Sequence, residues 1–131
     1  MFPDPDKPLK VLLADDDAVV REVGAAMLRH GGHEVVLAAD GWEAVSAFAR
    51  ESPDLVVLDY DMSEMNGDTV ARKVRQAYPE LPIILFSGCS QEECSPVLSL
   101  VDQYVPKGTL SPLRHTIAIL LAPEQQNPST C

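Results

Sequence analysis

Long apolar runs are missing from this 131-residue chain. No stretch approaches the roughly 18 consecutive apolar residues that a membrane-spanning helix requires. No basic-then-apolar leader opens it either, because Met1 to Pro8 is polar and proline-rich, so the expected location is the cytoplasm. Basic residues are few: ten Lys and Arg stand against twenty Asp and Glu, for a formal charge of −10. A surface of that sign repels phosphate backbones, and direct nucleic acid binding is not expected. The three cysteines, Cys89, Cys94 and Cys131, are odd in number and show no CxxC spacing. They read as reduced thiols rather than as ligands or bridges. His30, His33 and His115 form no metal-ligand spacing and read as surface or capping residues.

What is present suits one soluble domain, with 46% hydrophobic residues and enough length for a single core. Short apolar runs alternate with helix-like stretches, the pattern of βα units around a parallel sheet. The runs begin at Val11, His33, Leu55, Ile83 and Tyr104. Between them, Val19, Val20, Val23, Met27 and Leu28 form one helical stripe, closed by Gly31-Gly32. A second helix after Asp40-Gly41 turns Ala44, Val45 and Phe48 inward, and a third, from about Asp68 to Ala77, does so with Val70 and Val74. The third strand, apolar throughout, is expected to be buried on both faces. The fourth helix is the weak one. Ser90-Gln91-Glu92-Glu93 looks like a capping box, yet Pro96 would break a helix begun there, so a mobile or divided element is expected, with Ser95-Pro96 as the alternative start of a short piece. A fifth helix starts near Ser111-Pro112 and ends by Pro123. With right-handed crossovers, the fold class is α/β: a (βα)5 doubly wound, five-stranded parallel sheet of flavodoxin-like order 2-1-3-4-5, with helices on both faces.

That order has a chemical consequence, because ligands of such sheets bind beyond the carboxyl ends of the strands. The runs end on Asp15-Asp16, Asp59, Ser87 and Lys107. Strands 1 and 3 become neighbours, which gathers Asp15, Asp16 and Asp59, while strands 4 and 5 bring Ser87 and Lys107 to the far side of Asp59. Three carboxylates in one cleft repel one another, and a hard dication relieves the repulsion. Taken singly, each residue has a plainer reading. Asp15-Asp16-Asp17 equally suits a helix start, Asp59 a loop aspartate and Lys107 a surface lysine.

The order and setting of these residues resemble the receiver domain of two-component response regulators. The resemblance runs from Leu9 to about Leu121 and is most specific at residues 11–17, at Gly32-His33-Glu34-Val35 through Ala39-Asp40-Gly41-Trp42-Glu43-Ala44, at 54–67 and at Tyr104-Val105-Pro106-Lys107. It implies a division into an N-terminal extension (1–8), a receiver domain (9–122) and a flexible tail (123–131). By the same resemblance Asp59 accepts a phosphoryl group from a phosphohistidine on a sensor histidine kinase or histidine phosphotransfer protein. Mg²⁺, or Mn²⁺ in its place, is held by side-chain oxygens of Asp16 and Asp59, by Asp15 through water and by the Asp61 carbonyl. Lys107 neutralises charge, Ser87 hydrogen-bonds a phosphoryl oxygen, and Tyr104 is the switching aromatic. Such a domain is a phosphoacceptor, not an enzyme in the turnover sense. It would signal to a downstream protein through the face made by the fourth helix, fifth strand and fifth helix, a surface that also suits a homodimer. Gly67 matches the turn glycine after the acceptor loop, where a positive φ is easily taken.

Several positions depart from the family's common pattern: Ser63 replaces a proline, Ser87-Gly88 a Thr-Ala pair, and Gly108 the proline after the lysine. A trans bond or a rearranged loop is therefore expected after Lys107, since a non-proline cis bond costs about 2.5–4 kcal/mol. Asp61 and Cys89 occupy positions that tune hydrolysis of the acyl phosphate in that family. Two other classes compete. Haloacid dehalogenase-type phosphatases also use a DxD motif, as in Asp59-Tyr60-Asp61, but after their first strand. A receiver fold retained purely as a binding module is the other. The apolar run Ile117 to Leu121 suggests either a fifth helix covered by a second copy or by the kinase, or merely a well-buried end.

Overall fold

The computed structural model describes residues 8–62, 65–108 and 111–120. Strands β1 (Lys10–Ala14), β2 (Glu34–Ala38), β3 (Leu55–Leu58), β4 (Ile83–Ser87) and β5 (Gln103–Pro106) alternate with helices α1 (Ala18–His30), α2 (Gly41–Glu51), α3 (Gly67–Ala77), α4 (Ser95–Leu98) and α5 (Ser111–Leu120). All four strand pairings are parallel, in the order β2-β1-β3-β4-β5. The expected doubly wound topology is the one observed.

Alternation along each strand divides the core. Leu12, Ala14, Val56, Leu58, Ile83 and Leu85 face α2, α3 and the start of α4. Val11, Leu13, Leu55, Val57, Ile84, Phe86 and Val105 face α1 and α5. Every residue of β3 is buried, as its continuous apolar run predicts for a strand covered on both sides. Leu113 and Ile117, one helical turn apart, attach α5.

The α1 stripe differs from expectation in its phase. Val19 is 66% exposed and Val23 46%, while Gly24, Ala25 and Leu28 are buried and Val20 and Met27 half-buried. The small residues decide this. A Cβ on Gly24 would come within 2.9 Å of Leu13 Cδ2, so the helix turns its glycine toward the sheet and its two valines outward.

Helix α4 is a single turn, as the sequence forewarned. Ser90 and Glu93 form the reciprocal capping box, Ser90 N–H to Glu93 Oε1 at 2.8 Å and Glu93 N–H to Ser90 Oγ at 3.2 Å. The turn they open is not prolonged, because Pro96 has no N–H to continue it. Cys94 becomes the N-cap of the short piece that follows. The N-terminal residues before Pro8, Ser63, Leu121 and the expected tail lie outside the described residues, as does the side-chain setting of residues 118–120 on which the covered-helix reading depended.

Candidate functional site

The site is assembled by strand register. Asp59 N–H donates to the Ala14 carbonyl at 3.0 Å, and Asp15 N–H to the Ala38 carbonyl at 3.1 Å. The sheet ladder thus delivers both carboxylates to one rim. Asp15 is 1% exposed and Asp59 5%, whereas Asp16 is exposed. One carboxylate oxygen from each of Asp15, Asp16 and Asp59 lies within 4.8 Å of the others. Asp17 stands apart from this group. Its Oδ1 accepts the N–H groups of Val19 and Val20 at 2.8 and 3.3 Å and caps α1. The acidic run therefore divides, two members serving the site and the third the helix.

From the other side comes Lys107, placed by its N–H donation to the Ser87 carbonyl at 2.9 Å. Its Nζ lies 2.7 Å from Asp15 Oδ2 and 3.1 Å from Asp59 Oδ2. No cis peptide occurs among the described residues, so the bond to Gly108 is trans, and Lys107 reaches the site without the family's proline. Burial alone would lower the Lys107 pKa, but the carboxylates of Asp15 and Asp59 outweigh it and hold the ammonium above its ordinary value. Burial pushes the Asp15 carboxyl up, with the Asp59 charge adding, against the opposing pull of Lys107 and of the Asp17 N–H.

Ser87 is buried at the end of β4, its Oγ 3.4 Å from the Cys89 N–H. Tyr104, half-buried beside α4, donates its hydroxyl to the Cys89 carbonyl. Asp61 is exposed in the loop after β3 and its side chain is not part of the carboxylate cluster. Gly67 corrects an expectation, since the positive-φ glycine among the described residues is Gly32 (φ 92°). Gly67 is required for space instead. A Cβ there would strike the Asp59 carbonyl oxygen and come within 2.9 Å of Tyr60 Cα. With its N–H donating to the Tyr60 carbonyl at 2.8 Å, Gly67 lets α3 start directly against the backbone of Asp59.

Two contributions escaped the sequence reading. Arg21, in the first turn of α1, donates Nη1 to the Asp15 carbonyl at 2.7 Å and braces the acidic loop. Cys89 and Cys94 are also not free thiols. They form a disulfide, with Cα atoms 6.2 Å apart, inside the usual span of such bonds. The odd cysteine count hid this, because two residues of one short loop can pair whatever the third does.

What this arrangement offers is a triad of oxygen donors suited to a hard dication, with the Asp59 carboxylate buried and an ammonium fixed opposite it. Comparison with known proteins agrees in kind. The response regulator receiver domain family matches residues 11–106. The chain is 34% identical over 103 residues to the probable transcriptional regulatory protein TcrX of Mycobacterium tuberculosis, covering 77% of this chain and 44% of that protein. It is 36% identical over 102 residues to the response regulator MprA of Mycolicibacterium vanbaalenii, covering 76% and 44%. The chain thus spans less than half the length of these curated relatives. Among solved structures, the response regulator TrrA of Thermotoga maritima, in complex with Mg²⁺-BeF, aligns with a TM-score of 0.81 at 30% identity, over 86% of this chain and 99% of that one. The chemotaxis protein CheY4 of Vibrio cholerae aligns with a TM-score of 0.81 at 27% identity, over 88% and 100%.

Proposed function

The chain belongs to the response regulator receiver domain family, and from that premise we propose that Asp59 accepts a phosphoryl group from a phosphohistidine on a sensor histidine kinase or histidine phosphotransfer protein. The observation that carries this reading is the setting of Asp59. Its carboxylate is buried at the end of β3, 3.1 Å from the Lys107 ammonium and grouped with two further aspartates. A carboxylate oxygen attacks phosphorus, the N–P bond breaks with its electron pair passing to the imidazole, and an acyl phosphate results. Such transfers need chiefly positioning and charge neutralisation. Asp15, Asp16 and Asp59, with the Asp61 carbonyl, are the groups that would hold Mg²⁺, and the three clustered carboxylates fit that ion's preference for oxygen. The bound ion supplies neutralisation of the phosphoryl oxygens. Lys107 is already aimed at Asp59, and Ser87 sits at the end of the neighbouring strand with a hydroxyl to offer.

Readout is assigned to the α4-β5-α5 face, which would meet a downstream protein or a second copy. Ser87 and Tyr104 both hydrogen-bond to Cys89, so a shift of Ser87 toward a phosphoryl group is transmitted to the aromatic. The domain turns over no substrate of its own and acts in the cytoplasm. No helix among the described residues is long and apolar enough to cross a membrane. The decisive experiment is mass spectrometry of the intact protein after treatment with acetyl phosphate and Mg²⁺. Wild type should gain the mass of one phosphoryl group and Asp59→Asn none. Equal labelling of the two would remove Asp59 from the role.

A further inference from the structure

We propose that Cys89 and Cys94 form a reversible thiol–disulfide site that locks the segment joining Ser87 to α4. The bridge spans five positions of sequence, and both cysteines are packed in the core cluster beneath α3 and α4. Cys89 is the point at which two other groups meet, since its carbonyl receives the Tyr104 hydroxyl and its N–H faces Ser87 Oγ. Fixing Cys89 covalently to the start of α4 therefore fixes the backbone to which both are tied.

Without the bridge, little else restrains this stretch. Residues 90–93 are exposed, and their hydrogen bonds are all local: the capping box, the Cys94 N–H to the Ser90 carbonyl at 3.0 Å and the Ser95 N–H to the Glu92 carbonyl at 3.3 Å. The α4 turn that follows is four residues long. Local bonds open to water give a segment that unfolds on its own far more readily than the strands do. A short covalent loop removes most of those open states.

The chemistry needs an oxidant, and a low-molecular-weight disulfide such as oxidised glutathione suffices. Cys89, 7% exposed against 0% for Cys94, is the more accessible thiol. Its thiolate attacks one sulfur of the small disulfide, forming a mixed disulfide and expelling one thiolate. The Cys94 thiolate then attacks Cys89 Sγ and expels the second. The small disulfide gains two electrons and leaves as two thiols, and the protein loses two protons and two electrons. Reduction by excess thiol reverses both steps.

The bearing of this site on signalling rests on the phosphoacceptor reading. The test does not, because none of its readouts involves phosphoryl transfer. The full chain carrying Cys131→Ser is equilibrated across a series of reduced and oxidised glutathione ratios, alkylated and weighed, and amide hydrogen exchange is followed in parallel. Both thiols should vanish together as the buffer becomes oxidising and return on reduction. Exchange across residues 88–94 should slow roughly tenfold or more in the oxidised form, with the strands unchanged. Cys89→Ala, which removes the attacking thiol and leaves the fully buried Cys94 without a partner thiol, should leave exchange in that segment insensitive to the buffer. Two thiols alkylated throughout the series, stable glutathione adducts in place of the bridge, identical exchange in both forms, or a Cys89→Ala protein that still responds would each overturn the proposal.

Discussion

Lys107 holds two carboxylates at once, and the pH dependence of stability should report it. Its ammonium is 2.7 Å from Asp15 and 3.1 Å from Asp59, and together they raise its pKa above the ordinary 10.5 despite burial. A cation bound more tightly to its proton when folded than when unfolded stabilises the fold fully below the unfolded value. That stability is lost as pH rises through the folded one. Urea midpoints measured without divalent ions should therefore fall above pH 10.5 in wild type. Lys107→Met should abolish that portion of the decline, having already lost about 1–3 kcal/mol at neutral pH by leaving two carboxylates facing each other. Asp15 acts with the same sign at the acid end. Its raised carboxyl holds a proton better in the fold, so its ionised form weighs against folding and that weight lifts as pH falls through its folded value. Parallel alkaline titrations of wild type and Lys107→Met would count against this picture.

Among the elements, two glycines at helix packing contacts should answer the same substitution differently. At Gly24 an added Cβ meets the far end of a flexible side chain, Leu13 Cδ2, at 2.9 Å. Leucine can move, and alanine gains about 1 kcal/mol of helix propensity over glycine, so Gly24→Ala should leave stability within about 1 kcal/mol of wild type. At Gly67 the obstacle is backbone: the Asp59 carbonyl and Tyr60 Cα cannot yield without moving the candidate acceptor itself. Gly67→Ala should cost about 1–3 kcal/mol or more in a denaturant titration and also slow labelling by acetyl phosphate. These contrasts show where sequence reading reaches. A continuous apolar run such as Leu55 to Leu58 announces a buried strand, and the residue that ends it, here Asp59, is thereby placed at the sheet's rim. The topology and the grouping of Asp15, Asp16, Asp59 and Lys107 follow from such runs. Phase and close approach do not. Val19 and Val23 look like a core stripe until Gly24 is seen against Leu13, and Gly67 looks like a turn residue until its neighbour is known to be Asp59. The Cys89–Cys94 pair needed the path of the 90–93 loop, which depends on how Pro96 truncates a helix.

The formal charge of −10 gathers part of its repulsion in one place, and this couples the site to the stability of the entire fold. Asp15, Asp16 and Asp59 hold oxygens within 4.8 Å of one another, an arrangement that exists only once β1 and β3 are paired. In the unfolded chain Asp59 lies far along the sequence from the other two, and no comparable set of donors is assembled. An ion that binds the set therefore binds the folded state alone, and stability must rise with its concentration by mass action. At ten times the dissociation constant the gain is about 1.4 kcal/mol, which for a domain of this size moves the thermal midpoint by about 3–8 °C. MgCl₂ should produce that shift, while NaCl at matched ionic strength, which only screens, should produce less than half of it. Asp16→Asn replaces one anionic oxygen at the exposed mouth of the cluster with a neutral amide, so it should cut the Mg²⁺-dependent shift by more than half. Equal shifts with the two salts, or an undiminished Mg²⁺ response in the variant, would mean that the carboxylates do not act together on a cation. The candidate site would then contribute to the fold only through Lys107.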